Sequence, residues 1–287
     1  MSDRTVLVAG ASGNLGSAII NELKARGGFR VRALTRKPER VAHLPADETV
    51  IGDLRTPSSL EVACKGADAV IGASGASLQL RLRIGSPTYR AVDYEGNLNL
   101  LTAAQTAGVE RFVYVSVYAA EGYDDTDYVR AHTDFADHLV DSGLAYTVVE
   151  PTGYFSAFDL FVTLARGGVL PIIGDGTART NPIAVEDLAE VCVDGLDGDS
   201  RTIPIGGPAT FTRREIAELA FEALGKKPRI VHLPPGVLTL NRTLVRPLDK
   251  RLSHLLHFFQ RVNQTDAVAT PYGSRHLHAY FRQLAQP

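Results

Sequence analysis

The chain has 287 residues, of which 45% are hydrophobic and 22% charged, and this ordinary balance predicts one folded globular unit. A net charge of −2 gives no indication of a nucleic-acid or anionic-membrane partner. No apolar run reaches the ~20 residues of a transmembrane helix, and the first residues show no signal peptide. We therefore expect a cytoplasmic protein without a membrane span.

The first 150 residues alternate short apolar runs with amphipathic helical stretches. Runs rich in β-branched residues predict strands at 5–9, 29–34, 49–51, 69–73, 112–117 and 146–150. Apolar residues at helical spacing predict helices at 15–26, 58–65, 97–107 and 128–142. This alternation predicts right-handed βαβ units, and therefore an α/β fold with a Rossmann-type, doubly wound parallel sheet.

After Pro151 the pattern becomes less regular and richer in Gly and Pro. A further helix is predicted to begin at Thr212, because Thr212 followed by Glu215 forms a capping box. The remaining predictions are strands at 170–173 and 202–205, a helix at 185–196 and a mostly helical stretch at 236–262. No linker is visible, so residues 1–287 are predicted to form a single Rossmann domain, with a core at about 1–150 and a small C-terminal α/β cap at about 151–287.

The first strand–helix turn contains three glycines, in the sequence Gly-Ala-Ser-Gly-Asn-Leu-Gly. Gly10 allows a sharp turn, Gly13 lets backbone N–H groups approach a pyrophosphate, and Gly16 lets the helix pack close to the sheet. The helix N-terminus adds free N–H groups and the positive end of a dipole. The sequence therefore predicts a dinucleotide site made by Gly10, Ser12, Gly13, Asn14, Leu15 and Gly16.

The end of the second predicted strand indicates which dinucleotide is bound. NAD sites usually place Asp or Glu here, to hold the ribose 2′-OH. This chain has Thr35, Arg36 and Lys37 instead, and a guanidinium can pair with a 2′-phosphate. We therefore expect NADP(H), with NAD(H) less favoured. The alternative is that Arg36 and Lys37 are only solvated loop residues.

Further segments carry a family resemblance: Gly52-Asp53-Leu54, and the stretches 93–97, 107–116 and 142–147. With the glycine motif, they resemble the NmrA-like, NAD(P)H-binding family of atypical short-chain dehydrogenase/reductases, over roughly residues 4–235. The resemblance implies that Asp53 and Leu54 border the adenine. It also implies that two loops lie beside the nicotinamide end of the cofactor, namely Ala73, Ser74 and Gly75, and Pro151, Thr152 and Gly153.

Reductases of this superfamily typically use Ser, Tyr and Lys, and the resemblance assigns the Ser and Tyr roles to Ser116, which orients the substrate, and Tyr128, which moves the proton. His132 stands where the family has Lys, on the same helical face as Tyr128. A histidine with its reference pKa of about 6.5 is mostly neutral at pH 7, so His132 is expected to hold the cofactor ribose rather than to activate Tyr128. The alternatives are a strand-end serine, an exposed tyrosine and a surface histidine.

Three functions remain open at this point. The first is an NADP(H)-dependent oxidoreductase that transfers hydride to or from a small carbonyl, quinone or conjugated substrate. The second, favoured by His132 in place of Lys, is a non-catalytic NADP(H) sensor or assembly factor with a protein partner. The third is an isomerase or epimerase with a retained cofactor, although no sugar-nucleotide clamp is visible.

The histidines have no cluster at metal-ligand spacing, so no metal is expected. Cys64 and Cys192 are expected to be buried free thiols in a reducing compartment.

Overall fold

The structure is a computed structural model that describes residues 3–76, 78, 80, 82 and 84–286. Its strands in chain order are β1 (Arg4–Ala9), β2 (Phe29–Thr35), β3 (Glu48–Ile51), β4 (Ala69–Gly72), β5 (Arg111–Val115), β6 (Ala145–Pro151), β7 (Leu170–Ile173), β8 (Arg179–Thr180), β9 (Arg201–Gly206), β10 (Phe211–Thr212), β11 (Ile230–Leu233) and β12 (Thr270–Pro271).

Helices fill most of the chain between these strands. They are α1 (Asn14–Arg26), α2 (Pro57–Cys64), α3 (Glu95–Thr106), α4 (Asp127–Val140), α5 (Asp159–Arg166), α6 (Val185–Asp194), α7 (Arg213–Ala223), α8 (Gly236–Val245), α9 (Lys250–Val262) and α10 (Leu277–Ala285). A short π-helix, Arg90–Tyr94, leads directly into α3. Among the described residues, no helix combines the length and the apolar character needed to cross a membrane.

The central sheet has eight parallel strands in the order β3-β2-β1-β4-β5-β6-β9-β12. The order changes direction between β1 and β4, and open α/β sheets bind ligands outside the carboxyl ends of the strands at such a point. In register, Ala9 of β1 pairs with Leu34 of β2 and with Gly72 of β4, so the three strands end at one level. The loops that follow them therefore meet above the same edge of the sheet.

Helices cover both faces of this sheet, as alternation along β1 requires. Val6 and Val8 contribute to a first apolar cluster with α1 and α6, whereas Leu7 contributes to a second cluster with α2, α3 and α4. All three side chains are completely buried. Full burial of such a side chain contributes about 1.5–3 kcal/mol, so the two clusters fix which residues of β1 face each layer.

Two further clusters lie beyond the sheet layers. The third joins β7, α5, α7 and α10, and includes Phe221 and Phe281. The fourth packs α9 on α4, with Tyr89, Leu255 and Phe258 among its members. Two short strand pairs, β7 with β11 and β8 with β10, belong to this C-terminal part.

The α/β fold with a doubly wound parallel sheet is confirmed. Each strand and helix predicted before Pro151 begins and ends within two residues of its observed position. The capping box is also confirmed, since Thr212 Oγ1 accepts the Glu215 N–H and Glu215 accepts the Thr212 N–H, at 3.1 and 2.7 Å. The division into a core at 1–150 and a cap at 151–287 stays a prediction. Strands β9 and β12 extend the main sheet past residue 150, and α6 packs on α1.

Candidate functional site

The glycine turn leaves room only for glycine at two of its positions. Gly10 has φ +87°, and a Cβ atom there would lie 2.5 Å from the carbonyl oxygen of Ala73. A Cβ atom on Gly16 would lie 2.2 Å from the Gly10 carbonyl oxygen. Both distances are far below van der Waals contact, so any larger residue would push α1 away from β1 and from the loop after β4.

Gly13 is different, because its free space faces outward. A Cβ atom on Gly13 would meet only the Gly10 carbonyl oxygen, at 3.3 Å. No side chain caps α1 at this end, and its first turn contains no acidic residue. The Gly13 N–H donates to the Gly10 carbonyl oxygen at 2.9 Å and closes the turn. The uncapped N–H groups at the start of α1, behind the exposed segment Ser12, Gly13 and Asn14, fit a pyrophosphate. Leu15 is 5% exposed and packs in the first cluster, so only its backbone faces this cradle.

The residues predicted to select the cofactor follow β2. Thr35 is buried, and its hydroxyl accepts the Lys37 N–H at 3.1 Å, which fixes the turn. The Arg36 side chain is 72% exposed, and its guanidinium lies 3.9 Å from the Asp53 carboxylate. Asp53 pairs more closely with Arg55, at 2.8 Å, and this hydrogen bond holds the pKa of Asp53 below its ordinary value. Arg36 is thus loosely held at the predicted position of the ribose 2′-substituent.

Leu54 follows β3, next to Asp53. Its side chain is 8% exposed and packs in the second cluster, and its carbonyl oxygen accepts a hydrogen bond from Asn99 at 2.9 Å. Asp53 remains partly exposed above it. The two residues predicted to border an adenine therefore present one polar and one apolar group at the end of β3.

The loop after β4 passes directly over the glycine turn. Ala73 donates its N–H to the Ala9 carbonyl oxygen at 3.0 Å. Ser74 and Gly75 continue the loop from there, at the point where the strand order changes direction. Asp93 anchors the end of the loop, since its Oδ1 atom accepts the Ala76 N–H at 2.7 Å. The predicted path beside the nicotinamide end is therefore held by a residue of the π-helix.

The segment after β6 lies at the same edge of the sheet. Pro151 accepts the Tyr118 N–H at 3.0 Å, which ties it to the chain that follows β5. Thr152 donates its hydroxyl to the Asn181 carbonyl oxygen at 2.7 Å. Gly153 has φ +150°, a conformation that favours glycine, and a Cβ atom there would meet open space.

Ser116 directly follows β5, whereas Tyr128 and His132 lie in the first two turns of α4. The Ser116 backbone N–H donates to Val149, but its buried hydroxyl has no hydrogen-bond partner among the described residues. The Tyr128 and His132 rings are in edge-to-face contact, with centroids 4.8 Å apart. His132 is 4% exposed, which excludes a surface histidine, and Tyr128 is half-buried against Phe258.

The two ring nitrogens of His132 have different surroundings. Its Nδ1 atom lies 2.6 Å from the Tyr114 hydroxyl, whereas its buried Nε2 atom has no partner within the described part of the chain. Burial raises the pKa of Tyr114 well above its ordinary value, so this phenol keeps its proton. In the tautomer in which the phenol donates to Nδ1, Nε2–H is a donor available to a ligand.

Burial sets the charge states of the pair. It lowers the pKa of His132 to about 4, so the imidazole is neutral at pH 7. It raises the pKa of Tyr128 well above its ordinary value, so the phenol keeps its proton. The family lysine would supply a positive charge at residue 132, and this chain supplies none.

Sequence analysis missed Asp93 and Asn97 as site residues. Both are completely buried, and Asn97 Nδ2 donates to the Asp93 carbonyl oxygen at 2.8 Å. Burial raises the pKa of Asp93 to about 7. The available signal was two polar residues four positions apart at the start of a helix, but the segment 93–97 was used only for its family resemblance.

Besides the Tyr89 hydroxyl, four buried polar atoms stand without a hydrogen-bond partner in the described residues. They are Asp93 Oδ2, Asn97 Oδ1, Ser116 Oγ and His132 Nε2. Buried polar groups in proteins are bonded in the great majority of cases, so an excess of this kind marks a place where polar groups of a ligand fit. Asp93 lies in the π-helix and Asn97 in α3, whereas Ser116 follows β5 and His132 lies in α4. All four elements belong to the predicted cofactor edge.

Two histidines of α9 pair with carboxylates. His254 Nδ1 lies 2.8 Å from Asp127, and His257 Nε2 lies 3.4 Å from Asp125. Both contacts join α9 to the beginning of α4, next to Tyr128. Within the described ranges, no group of three or more His, Cys, Asp and Glu residues could hold a metal ion.

Comparisons with known proteins agree with this geometry. The family described as NAD(P)H-binding matches residues 10–199, which is more than half of the chain. Photosystem II assembly factor Ycf39 from Synechocystis sp. is 30% identical over 253 residues, covering 84% of this chain and 74% of the relative. Divinyl chlorophyllide a 8-vinyl-reductase from Cucumis sativus is 29% identical over 271 residues, covering 82% of this chain. The match spans only 61% of the length of that reductase.

Solved structures share the fold over nearly the whole chain. The triphenylmethane reductase of Citrobacter sp. superimposes with a TM-score of 0.78, covering 98% of this chain and 99% of the reductase. The Escherichia coli quinone oxidoreductase QOR2, solved with NADPH, gives a TM-score of 0.76, covering 98% of this chain and 100% of its own. Sequence identity is 18% in both cases, so these similarities show the fold.

Proposed function

Because this chain belongs to the NAD(P)H-binding family, as the NmrA-like resemblance predicted, we propose that it is an NADPH-dependent reductase of a small carbonyl, quinone or conjugated substrate. One observation carries this proposal. The partnerless hydroxyl of Ser116 follows β5, and the protonated phenol of Tyr128 stands in the first turn of α4, which comes next in the chain. Two O–H donors at such a place suit an acceptor on which negative charge develops.

The cofactor form is proposed from the adenosine end. Arg36 is exposed, and its only ion pair among the described residues is the 3.9 Å contact with Asp53. No carboxylate follows β2, where an NAD site would have one, because the chain continues with Arg36 and Lys37. We therefore propose that Arg36 binds a 2′-phosphate and that NADPH is preferred over NADH.

The remaining contacts follow from the cradle. Backbone N–H groups at Asn14 and Leu15 would hold the pyrophosphate, and Asp53 would border the adenosine. The loop at Ala73–Gly75 and the segment at Pro151–Gly153 would flank the nicotinamide end. His132 would donate its Nε2–H to a ribose hydroxyl.

The charge states favour reduction over oxidation. Bound NADPH supplies a hydride. Tyr128 enters the reaction protonated, because burial opposes the tyrosinate and neutral His132 does not stabilise it; its phenol would donate a hydrogen bond and then its proton to the reduced acceptor, and solvent would reprotonate the tyrosinate. Ser116 would donate a hydrogen bond that orients the acceptor atom. Oxidation of an alcohol would need the tyrosinate, which this environment disfavours.

The first experiment measures binding and turnover on the same sample. Calorimetric titration with NADPH and NADH is followed by NADPH oxidation against a panel of quinones, aldehydes and enones. Replacement of Tyr128 by Phe should lower kcat by about 10²–10⁴-fold, the usual contribution of a positioned acid, with little change in the Kd for NADPH. Tyr146→Phe is the matched control, because Tyr146 lies at the N-terminal end of β6, opposite to the end at Pro151 that borders the site. Equal kcat values for both variants would remove Tyr128 from the mechanism.

A second candidate function is supported by His132. Neutral His132 gives Tyr128 no activating charge, and the assembly factor Ycf39 shows that relatives of this chain are not all named as reductases. Under this alternative the protein senses NADP(H) and changes its affinity for a protein partner. Tight NADPH binding without turnover on the whole panel would favour it over the reductase.

We further propose a cytoplasmic location. Cys64 and Cys192 are both completely buried free thiols, and burial raises the pKa of Cys64 to about 11 and that of Cys192 to about 12. Thiols held in this form suit a reducing compartment. Fractionation of the source cells with an antibody against the chain tests this location.

A further inference from the structure

Helix α8 presents an apolar face to solvent. Val237, Leu240 and Leu244 are spaced by three and four residues, which places them on one side of the helix, and they are 37%, 63% and 63% exposed. Leu248 extends the stripe beyond the end of the helix, at 56% exposure. We call these four residues the α8 face. Single exposed apolar residues are common on proteins, but a continuous stripe marks an interaction surface.

A second apolar stretch emerges close to the same place. In the loop after β4, the residues Leu78, Leu80, Leu82 and Ile84 are between 37% and 77% exposed. Ala76, where this loop begins, and Val245, where α8 ends, both pack against the fourth cluster. The loop and α8 are therefore anchored on one cluster, beside α9 and α4.

The sequence segments that contain both stretches are rich in Lys and Arg. Between residues 226 and 262 the sequence has eight Lys and Arg residues and one acidic residue, Asp249. Residues 69–92 contain three Arg residues and no acidic residue. Because the whole chain has a net charge of −2, the rest of it is strongly negative, and this cancellation is why composition gave no indication of an anionic partner.

Polar side chains of α9 face the protein body, whereas the Arg residues of the α8 region are at least partly exposed to solvent. On α9, His254 contacts Asp127 and Arg261 pairs with Asp125, so these two side chains face the start of α4. Arg242 of α8 is half-buried, and Arg246, directly after this helix, is exposed. Burial lowers the pKa of His254, and the nearby charges of Arg246, Arg242 and Lys250 lower it further, so they act on the same region.

We propose that the α8 face and the side chains of Leu78, Leu80, Leu82 and Ile84 dock onto a bilayer surface that contains anionic phospholipids. Apolar side chains on one face of a helix insert at the boundary between headgroups and acyl chains, and flanking Lys and Arg residues bind the phosphates. A second copy of this chain would bring the same positive region against itself, and like charges oppose such a contact. The anionic bilayer satisfies both the apolar stripe and the charge.

Vesicle co-sedimentation tests the proposal with the full chain. Wild-type protein should bind phosphatidylcholine vesicles that contain about 30% phosphatidylglycerol at least tenfold more tightly than pure phosphatidylcholine vesicles, and about 0.5 M salt should weaken this binding. The double variant Leu240→Asp/Leu244→Asp should bind at least tenfold more weakly. Val62→Asp is the matched control, because Val62 is 65% exposed on α2, away from this surface. It should bind like the wild type.

Folding and self-association are measured on the same samples. Leu240 and Leu244 are largely exposed, so the double variant should melt within a few degrees of the wild type. Light scattering gives the mass in solution. Absent wild-type binding, or equal losses in the double variant and in the control, would overturn the proposal. So would a dimer that disappears in the double variant while vesicle binding is absent, since the α8 face would then join two copies.

Discussion

Replacing Asp93 by Asn should stabilise the protein increasingly as the pH rises from 4 to 8. Asp93 is completely buried, and its Oδ1 atom accepts the Ala76 N–H at 2.7 Å. Burial raises the pKa of this carboxyl to about 7 from a reference value of 3.8, because no neighbouring cation compensates the lost hydration. An asparagine can keep the hydrogen bond to Ala76 through its Oδ1 atom, and it carries no charge at any pH.

The magnitude follows from proton linkage. Below pH 3.8 the carboxyl is neutral in the folded and in the unfolded chain, so it makes no difference to stability. Between about pH 4 and pH 7 it ionises in the unfolded chain only, and folding becomes steadily less favourable. Above pH 7 the cost reaches about 4 kcal/mol, at about 1.4 kcal/mol per pKa unit over about three units. D93N removes this cost.

Thermal unfolding at pH 4.5 and pH 8 measures the effect. The gain from D93N should be about 1 kcal/mol at about pH 4.5 and about 4 kcal/mol at about pH 8, which corresponds to a difference in Tm of at least about 6 °C. Asp47→Asn is the control with the opposite sign. The Val31 N–H and then Lys24 hold the pKa of Asp47 below its ordinary value, so D47N should destabilise the protein at pH 8, and its effect should fade as the pH falls. The same gain from D93N at both pH values would refute the reasoning.

Three further predictions concern the cofactor site. Arg36→Glu should raise the Kd for NADPH by about 100-fold, or about 2.7 kcal/mol, and leave the Kd for NADH nearly unchanged in calorimetry; equal losses would contradict the assignment of Arg36. Gly13→Ala should fold normally by circular dichroism but bind NADPH at least tenfold more weakly, whereas Gly16→Ala should fail to fold stably, because its Cβ atom would meet a backbone oxygen at 2.2 Å. His132→Lys should shift the alkaline limb of the kcat profile to lower pH, if Tyr128 donates the proton, and an unchanged profile would mean that the two residues do not act together.

Hydrophobic pattern was sufficient to predict seven of the eight strands of the main sheet. Each of the first six strands is a short apolar run bounded by turn residues. Val6 and Leu7 are both buried, on opposite faces of the sheet, which explains why these runs are continuously apolar. Strand β12 was missed, because Thr270–Pro271 is too short to have a period. The helical stretch at 236–262 was predicted as a unit, but Pro247 separates its two helices and the Asp249 side chain caps the second one.

The site was predictable where it depends on backbone geometry. The glycine spacing specified the turn, because only glycine tolerates the contacts at Gly10 and Gly16. The neutral state expected of His132 follows from its reference pKa, and burial moves the pKa further in that direction. Asp93 could not be recognised from its residue type, because its pKa depends on how the π-helix is covered. The roles of Ser116, Tyr128 and His132 stay predictions.

The packing of α1 against α6 bears on synthesis at the ribosome. Ile19 and Leu23 of α1 are fully buried, and their cluster includes Leu188 and Cys192 of α6. Arg26 and Asp194, at the ends of the two helices, form an ion pair across 168 residues of sequence. A nascent chain that already contains the glycine turn therefore keeps one side of α1 bare until α6 has been translated. The first half of the sheet should depend on chaperones during elongation, and folding should be slow, as contacts between distant segments require.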